Sequence, residues 1–249
     1  MSNTARFAEC PLSGGGTSIG QWLAGERRPE LSLAACPALV VVAPHPDDET
    51  LGVGGLIASL ADRGVDVTVV SVSDGGAAYP DIPELDRMRL ESTRRAELDC
   101  AAAVLGVRQV IRLEMPDGQL AEHEELLAQR LAEVLAAAPL GVWCAATWRG
   151  DGHPDHEAVG RAAAVASAIS GVPLVEYPVW MWHWSTPGDP AVPWRRALSV
   201  PLDRRASIRK HNAAKCFRSQ FEAPAPDVEP VLPPFVMRRI LAVGEVLFG

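Results

Sequence analysis

The sequence predicts an α/β fold, a mostly parallel sheet with helices on both faces, followed by a less regular C-terminal third. Three observations lead there. Short apolar or β-branched runs alternate with stretches of helical periodicity between residues 38 and 177. The first run, Ala38-Leu39-Val40-Val41-Val42-Ala43, is almost continuously apolar, as expected of a central parallel strand covered on both faces. The chain has 249 residues, 48% of them hydrophobic, which suits one large domain with a real core.

The elements follow in order. Residues 1–37 read as an N-terminal extension that lies over the domain or is partly flexible, because they hold the run Ser13-Gly14-Gly15-Gly16-Thr17-Ser18. Residues 38–249 read as a single domain. After the first strand, 50–63 reads as a helix and 66–72, rich in valine, as a strand. A long helix over 86–105 ends at Gly106, which suits a left-handed C-terminal cap. A short strand at 109–113 precedes a helix over 122–138 that Pro139 stops. A strand at 141–147 leads to a helix over 154–170, with Pro154 at its first position and Gly171 past its end. A fifth strand is expected at 173–177. In the common strand order 3-2-1-4-5 the first strand lies beside the fourth, and ligands bind in the crevice at that switch point. Residues 178–201 are rich in Trp and Pro. If they are extended, Trp180, Trp182 and Trp184 share one face, either as core or as a platform for a sugar or apolar group. Residues 204–219 look helical, and the five prolines between 224 and 234 exclude a helix there.

Composition excludes some functions. A net charge of −8 argues against a nucleic-acid partner and against an anionic membrane surface. No stretch is long and apolar enough to span a bilayer, and residues 1–20 lack the apolar core of a secretory signal. The five cysteines are scattered without a CxxC pair. They read as free thiols in a reducing, cytoplasmic compartment.

The chemistry lies in two segments. Pro44-His45-Pro46-Asp47-Asp48-Glu49 follows the first strand, and His153-Pro154-Asp155-His156 follows the fourth. Acids in the first turn of a helix complement its dipole, which would account for the carboxylates alone. It does not account for His45, or for the like charge of Asp47 beside Asp48, which a bound dication would relieve. His153 and His156 are three apart and share a helical face. Together the segments can give three nitrogen and oxygen metal ligands with an acid and a base to spare. Spacing does not decide which residue does which. Gly52-Val53-Gly54-Gly55 lacks phosphate-loop spacing and points to close helix–sheet packing. Ser73-Asp74-Gly75-Gly76 reads as a turn near the crevice.

These paired motifs resemble those of the PIG-L/LmbE-like zinc-dependent N-acetylglucosaminyl deacetylases, over most of residues 38–221. Arg94-Arg95-Ala96-Glu97 is similar to the family's Arg-x-x-Glu helix, Met115-Pro116-Asp117-Gly118 to its Pro-Asp-Gly turn, and Ser219-Gln220 to its late Ser-Gln pair. The family motif usually opens Ala-His, where this chain has Pro44-His45. The resemblance implies a Rossmann-like fold with Zn2+, or another divalent metal, bound by His45, Asp48 and His156. It implies Asp47 as general base, with His153 stabilising the oxyanion or protonating the leaving amine and Asp155 orienting His153. Arg94 and Asp117 would contact the sugar, although a helix salt bridge and an ordinary turn account for them equally on spacing.

The function so implied is hydrolytic removal of an N-acetyl or other N-acyl group from a small molecule containing an amino sugar. An amidase of a sugar-thiol conjugate or of an acylated natural product is the close alternative. A non-catalytic Rossmann-like binding protein is the alternative of another class. A homo-oligomer is left open.

Overall fold

The computed structural model describes residues 1–79, 82–223 and 228–249. Two short helices, α1 (Asn3–Ala8) and α2 (Ile19–Leu23), precede β1 (Ala38–Ala43). Then come α3 (Asp48–Asp62), β2 (Asp66–Ser71), α4 (Glu84–Leu105), β3 (Gln109–Arg112), α5 (Glu124–Ala137), β4 (Trp143–Thr147), α6 (Pro154–Ser170) and β5 (Leu174–Tyr177). The last third holds α7 (Met181–Trp184), β6 (Ala197–Ser199), α8 (Arg204–Ala214), α9 (Arg218–Phe221), α10 (Pro234–Val243) and β7 (Val246–Phe248).

The sheet runs β3-β2-β1-β4-β5-β7-β6. Its first five strands are parallel, in the order expected, and β7 and β6 extend it antiparallel. Side chains alternate along β1 as pleating requires. Leu39 and Val41 face a core shared with α3, α4 and the C-terminal third, whereas Val40 and Val42 face one shared with α5 and α6. Both faces of the strand are therefore dry, which is why its sequence shows no polar alternation. Leu39 pairs with Trp143 and Val42 with Ala146, so the carboxyl ends of β1 and β4 lie side by side. The two histidine segments leave from those ends. Among the described residues, no helix is long and apolar enough to cross a membrane.

Several expectations are corrected. The helix read over 50–63 begins at Asp48 and is kinked at Val53. There the Glu245 carboxylate accepts from the amides of Gly55 (2.6 Å) and Leu56 (2.8 Å), and it pairs with Lys210 at 2.7 Å. The carboxylate thus caps a second helix start inside α3. The helix read over 204–219 breaks after Ala214 and resumes at Arg218. Residues 180–184 are not extended, because Asp151 turns the chain there. Trp182 is buried edge-on against Trp22, with ring centroids 4.9 Å apart, and the Trp184 indole donates to the Asp151 carbonyl at 2.6 Å. The three indoles share no face. The cysteines are not all free: Cys100 on α4 and Cys216 form a disulfide, with Cα atoms 6.0 Å apart. Cys10, Cys36 and Cys144 remain as thiols. Of the proline-rich stretch, residues 224–227 lie outside the described residues.

Residues 1–37 pack along the C-terminal third. Residues 29–31 bond to the β6 edge through Leu31 N to Ser199 O and Ser199 N to Pro29 O, both 2.8 Å. The Trp22 indole is buried and donates to Trp182 O at 3.0 Å.

Candidate active site

The turn after β1 is held from several sides. The Ser73 hydroxyl donates to Pro44 O at 2.9 Å, so the turn after β2 braces the turn after β1. Asp47 takes φ +124°, a conformation that costs an L-residue of this kind of order 1–3 kcal/mol and that persists only where the surroundings enforce it. Two neighbours do so. The Glu49 carboxylate accepts from Asp47 N at 3.1 Å. Arg94, only 3% exposed, donates to Pro46 O (2.8 Å) and Gly75 O (2.9 Å) and lies 3.3 Å from Asp47 Oδ2.

His45, Asp48 and His156 converge. His45 Nδ1 is 3.1 Å and His156 Nε2 is 3.2 Å from the same Asp48 oxygen, Oδ2. The three ligand atoms lie within 4.8 Å of one another. Nε2 of the fully buried His156 has no hydrogen-bond partner of good geometry, although Asp48 is close. Its other nitrogen, Nδ1, meets Asp151 Oδ2 at 2.8 Å. A buried imidazole anchored at one nitrogen and unpartnered at the other, beside a carboxylate and a second imidazole, is a donor set that could hold a divalent metal. The residues present fit such an ion.

Asp151 was not singled out by the sequence reading. It is fully buried, and its carboxylate accepts from the amides of Val179, Trp180 and Met181, each at 2.9 Å. One side chain thus orients a candidate ligand and sets the path of the chain after β5. Its only signal in the sequence was the turn Gly150-Asp151-Gly152, two residues before His153.

The remaining sequence candidates lie around this centre. Asp117 Oδ1 is 2.9 Å from His45 Nε2, and its Oδ2 accepts from Ala77 N at 2.7 Å. The Asp155 carboxylate accepts from Gly118 N (2.9 Å) and Leu120 N (3.2 Å) and approaches His45 Nε2 at 3.2 Å. Its link to His153 runs through the backbone: Asp155 N donates to His153 Nδ1 at 3.3 Å. That bond leaves the neutral ring's proton on Nε2. The Arg-x-x-Glu and Ser-Gln motifs also meet, because Glu97 accepts from Ser219 N (2.8 Å) and from its hydroxyl (2.6 Å). Gln220 beside it reaches the cleft.

The charges of the site are strongly perturbed. Burial pushes the Asp47 carboxyl up to about 8, against the pull of Arg94. Burial likewise lifts Glu49 to about 7. Burial would raise Asp48 too, but His156 and His45 hold it well below the ordinary range. Burial opposes protonation of His156, yet Asp48 and Asp151 raise it to about 9. Burial and the neighbouring His156 and His45 drive His153 down to about 3. The cleft itself has a volume of about 190 Å³. Arg94, Asp117 and Gln220 give it polar lining, and Trp180, Val231 and Leu232 give it apolar lining.

The sequence profile of the PIG-L family, described as GlcNAc-PI de-N-acetylase, matches residues 40–167, just over half of the chain. The chain belongs to this family. A PIG-L relative, the diacetylchitobiose deacetylase of Thermococcus kodakarensis, is 31% identical over 140 residues, covering 54% of this chain and 51% of that protein. The chain spans about half the length of the curated relatives it matches. The structure of N,N'-diacetylchitobiose deacetylase from Pyrococcus horikoshii superposes with a TM-score of 0.57 at 25% identity, over 75% of this chain and 71% of that one. The A40926 pseudoaglycone deacetylase shares the fold, with a TM-score of 0.62 at 21% identity, over 85% of this chain and 96% of that one.

Proposed function

We propose that the protein is a zinc-dependent hydrolase that removes an N-acetyl or other N-acyl group from a small molecule containing an amino sugar. One observation carries the reading: His45, Asp48 and His156 converge at the sheet's switch point with the strained Asp47 beside them. A metal with no turnover to support would need no carboxyl held in that conformation.

In this reading His45, Asp48 and His156 would hold the ion, which would supply Lewis acidity toward an amide carbonyl and toward water. Asp47 takes the proton of the attacking water, its carboxylate held beside the ligand Asp48 by Arg94 and by the Glu49 contact to its amide. His153, neutral and carrying its ring proton on Nε2, donates to the developing oxyanion. Asp155 fixes that tautomer through its backbone amide, not its carboxylate, and its carboxylate ties the turn at 117–120 to the start of α6. Asp117 keeps its proposed contact with the sugar. Arg94 has two roles, since its guanidinium both lines the cleft and braces Asp47.

The unit is one domain over residues 38–249 with the segment 1–37 laid on it. We keep the cytoplasm as the proposed compartment. The Cys100–Cys216 disulfide is the observation against it, because such bonds persist in oxidising surroundings. The test of function is acetate release by the zinc-loaded protein over a panel of N-acetyl amino sugars and their conjugates. Release from at least one supports the reading. Bound metal with no release from any N-acyl amine would favour a binding protein instead.

A further inference from the structure

We propose that Trp180, set in place by Phe7 of the N-terminal segment, is the stacking platform for the pyranose ring of the substrate, so that residues 1–37 are part of the substrate-binding machinery. This rests on the deacylase reading above.

Trp180 stands apart from its neighbours. Trp182 and Trp184 are buried, whereas Trp180 is half-buried and lines the cleft. Its backbone is fixed by the carboxylate that orients His156, through Trp180 N to Asp151 Oδ2 at 2.9 Å. The platform and a metal ligand therefore share one anchor, which sets the distance between ring and reacting centre. Phe7 packs against the indole in a tilted contact, with ring centroids 5.2 Å apart at 44°. Phe7 also approaches His153, at 6.0 Å between centroids.

Phe7 is held by its own helix. Asn3 Nδ2 donates to Gly150 O at 2.8 Å and the Thr4 hydroxyl to Glu157 at 3.0 Å. Arg6 pairs with Asp189, its guanidinium carbon 4.5 Å from the centre of the Trp184 ring. The loop that carries His153 makes room for this packing. Gly152 has φ +97°, and a Cβ there would come within 2.8 Å of Phe7 Cβ and 2.6 Å of Trp184 Nε1. The family match covers residues 40–167, so both Phe7 and Trp180 fall outside it.

The chemistry points to a sugar ring. A pyranose has an apolar C–H face and a rim of hydroxyls. The cleft offers an indole on one side and Arg94, Asp117 and Gln220 as hydroxyl partners elsewhere in its lining. An aromatic face gives large contact area with few torsions to freeze.

The experiment is steady-state carboxylate release by the zinc-loaded full chain from N-acetyl- and N-butyryl-glucosamine. The proteins are wild type, Trp180→Ala, Trp180→Phe, Phe7→Ala and the double alanine variant, with metal content and circular dichroism checked for each. Trp180→Ala should raise KM about tenfold for both acyl lengths, with kcat within about twofold, a loss of about 1.4 kcal/mol typical of one aromatic contact. Trp180→Phe should recover most of that loss. Phe7→Ala should raise KM about threefold in the wild type and add nothing in the Trp180→Ala background. An unchanged KM in Trp180→Ala overturns the platform. An effect confined to one acyl length assigns the indole to the acyl group and overturns the pyranose. A Phe7→Ala effect that falls on kcat, or that persists without Trp180, shows Phe7 acting through His153. If the wild type releases carboxylate from neither, the variants are compared on the panel substrate it does cleave, and release from none of that panel fails the functional reading and this inference with it.

Discussion

Replacing Asp151 by asparagine changes one oxygen to an amino group and leaves the shape intact. Asp151 Oδ1 accepts from Val179 N and Met181 N, and Oδ2 accepts from Trp180 N and His156 Nδ1. An amide at residue 151 can turn its NH2 either way. Facing Val179 and Met181, it opposes two backbone donors that cannot adapt. Facing Trp180 and His156, it opposes one backbone donor and one imidazole that can change tautomer. The second orientation is cheaper, losing one charge-assisted bond worth about 1.5–3 kcal/mol. It forces His156 Nδ1 to accept, which puts the ring proton on Nε2, the nitrogen expected to bind metal. The variant should therefore fold with a loss of about 2–3 kcal/mol out of a total of about 5–15, and should bind zinc about ten- to a hundredfold more weakly. Urea denaturation of the metal-free protein gives the first quantity, and competition with a chromophoric chelator gives the second. Wild-type zinc affinity in the asparagine variant would refute the assignment of His156 Nε2 as a ligand.

Three further outcomes are expected. Glu49→Ala removes the acceptor of Asp47 N and frees φ at Asp47, so turnover should fall about ten- to a hundredfold with one zinc per chain retained; Glu49→Gln, which keeps an acceptor, should lose far less. In the metal-free site His156 is raised to about 9, and His45 lies well above its ordinary value, although burial opposes both. A metal must therefore displace protons, so zinc affinity should climb through neutral pH and go on rising at least to about pH 9, and titrations at several pH values that give one affinity would contradict this. Thiol counting on the unfolded, unreduced chain should find three free cysteines of the five in the sequence, and five would remove the Cys100–Cys216 bond.

The features legible in the sequence are those with a local cause. Buried parallel strands announce themselves as apolar runs, and Gly106, Pro154 and Gly171 mark helix ends through their own backbone preferences. The strand order follows from the commonest connection rule, and that order alone places His45 and His156 side by side. What stayed hidden depends on distant partners. β6 and β7 are three residues each and have no period to read. The kink at Val53 is made by Glu245, almost two hundred positions away in the chain. Residues 180–184 alternate like a strand, yet three amides accepted by Asp151 turn them into a helix, and nothing local to the tryptophans encodes that. The division of Asp155's work was likewise out of reach, because its carboxylate serves the 117–120 turn while only its backbone reaches His153.

The division of work between the two adjacent carboxylates is decided by metal content and acetate release, measured side by side on Asp47→Ala and Asp48→Ala. Asp47→Ala should keep one zinc per chain and release no acetate, and Asp48→Ala should lose both. Normal turnover in Asp47→Ala, or zinc still bound in Asp48→Ala, would refute that division.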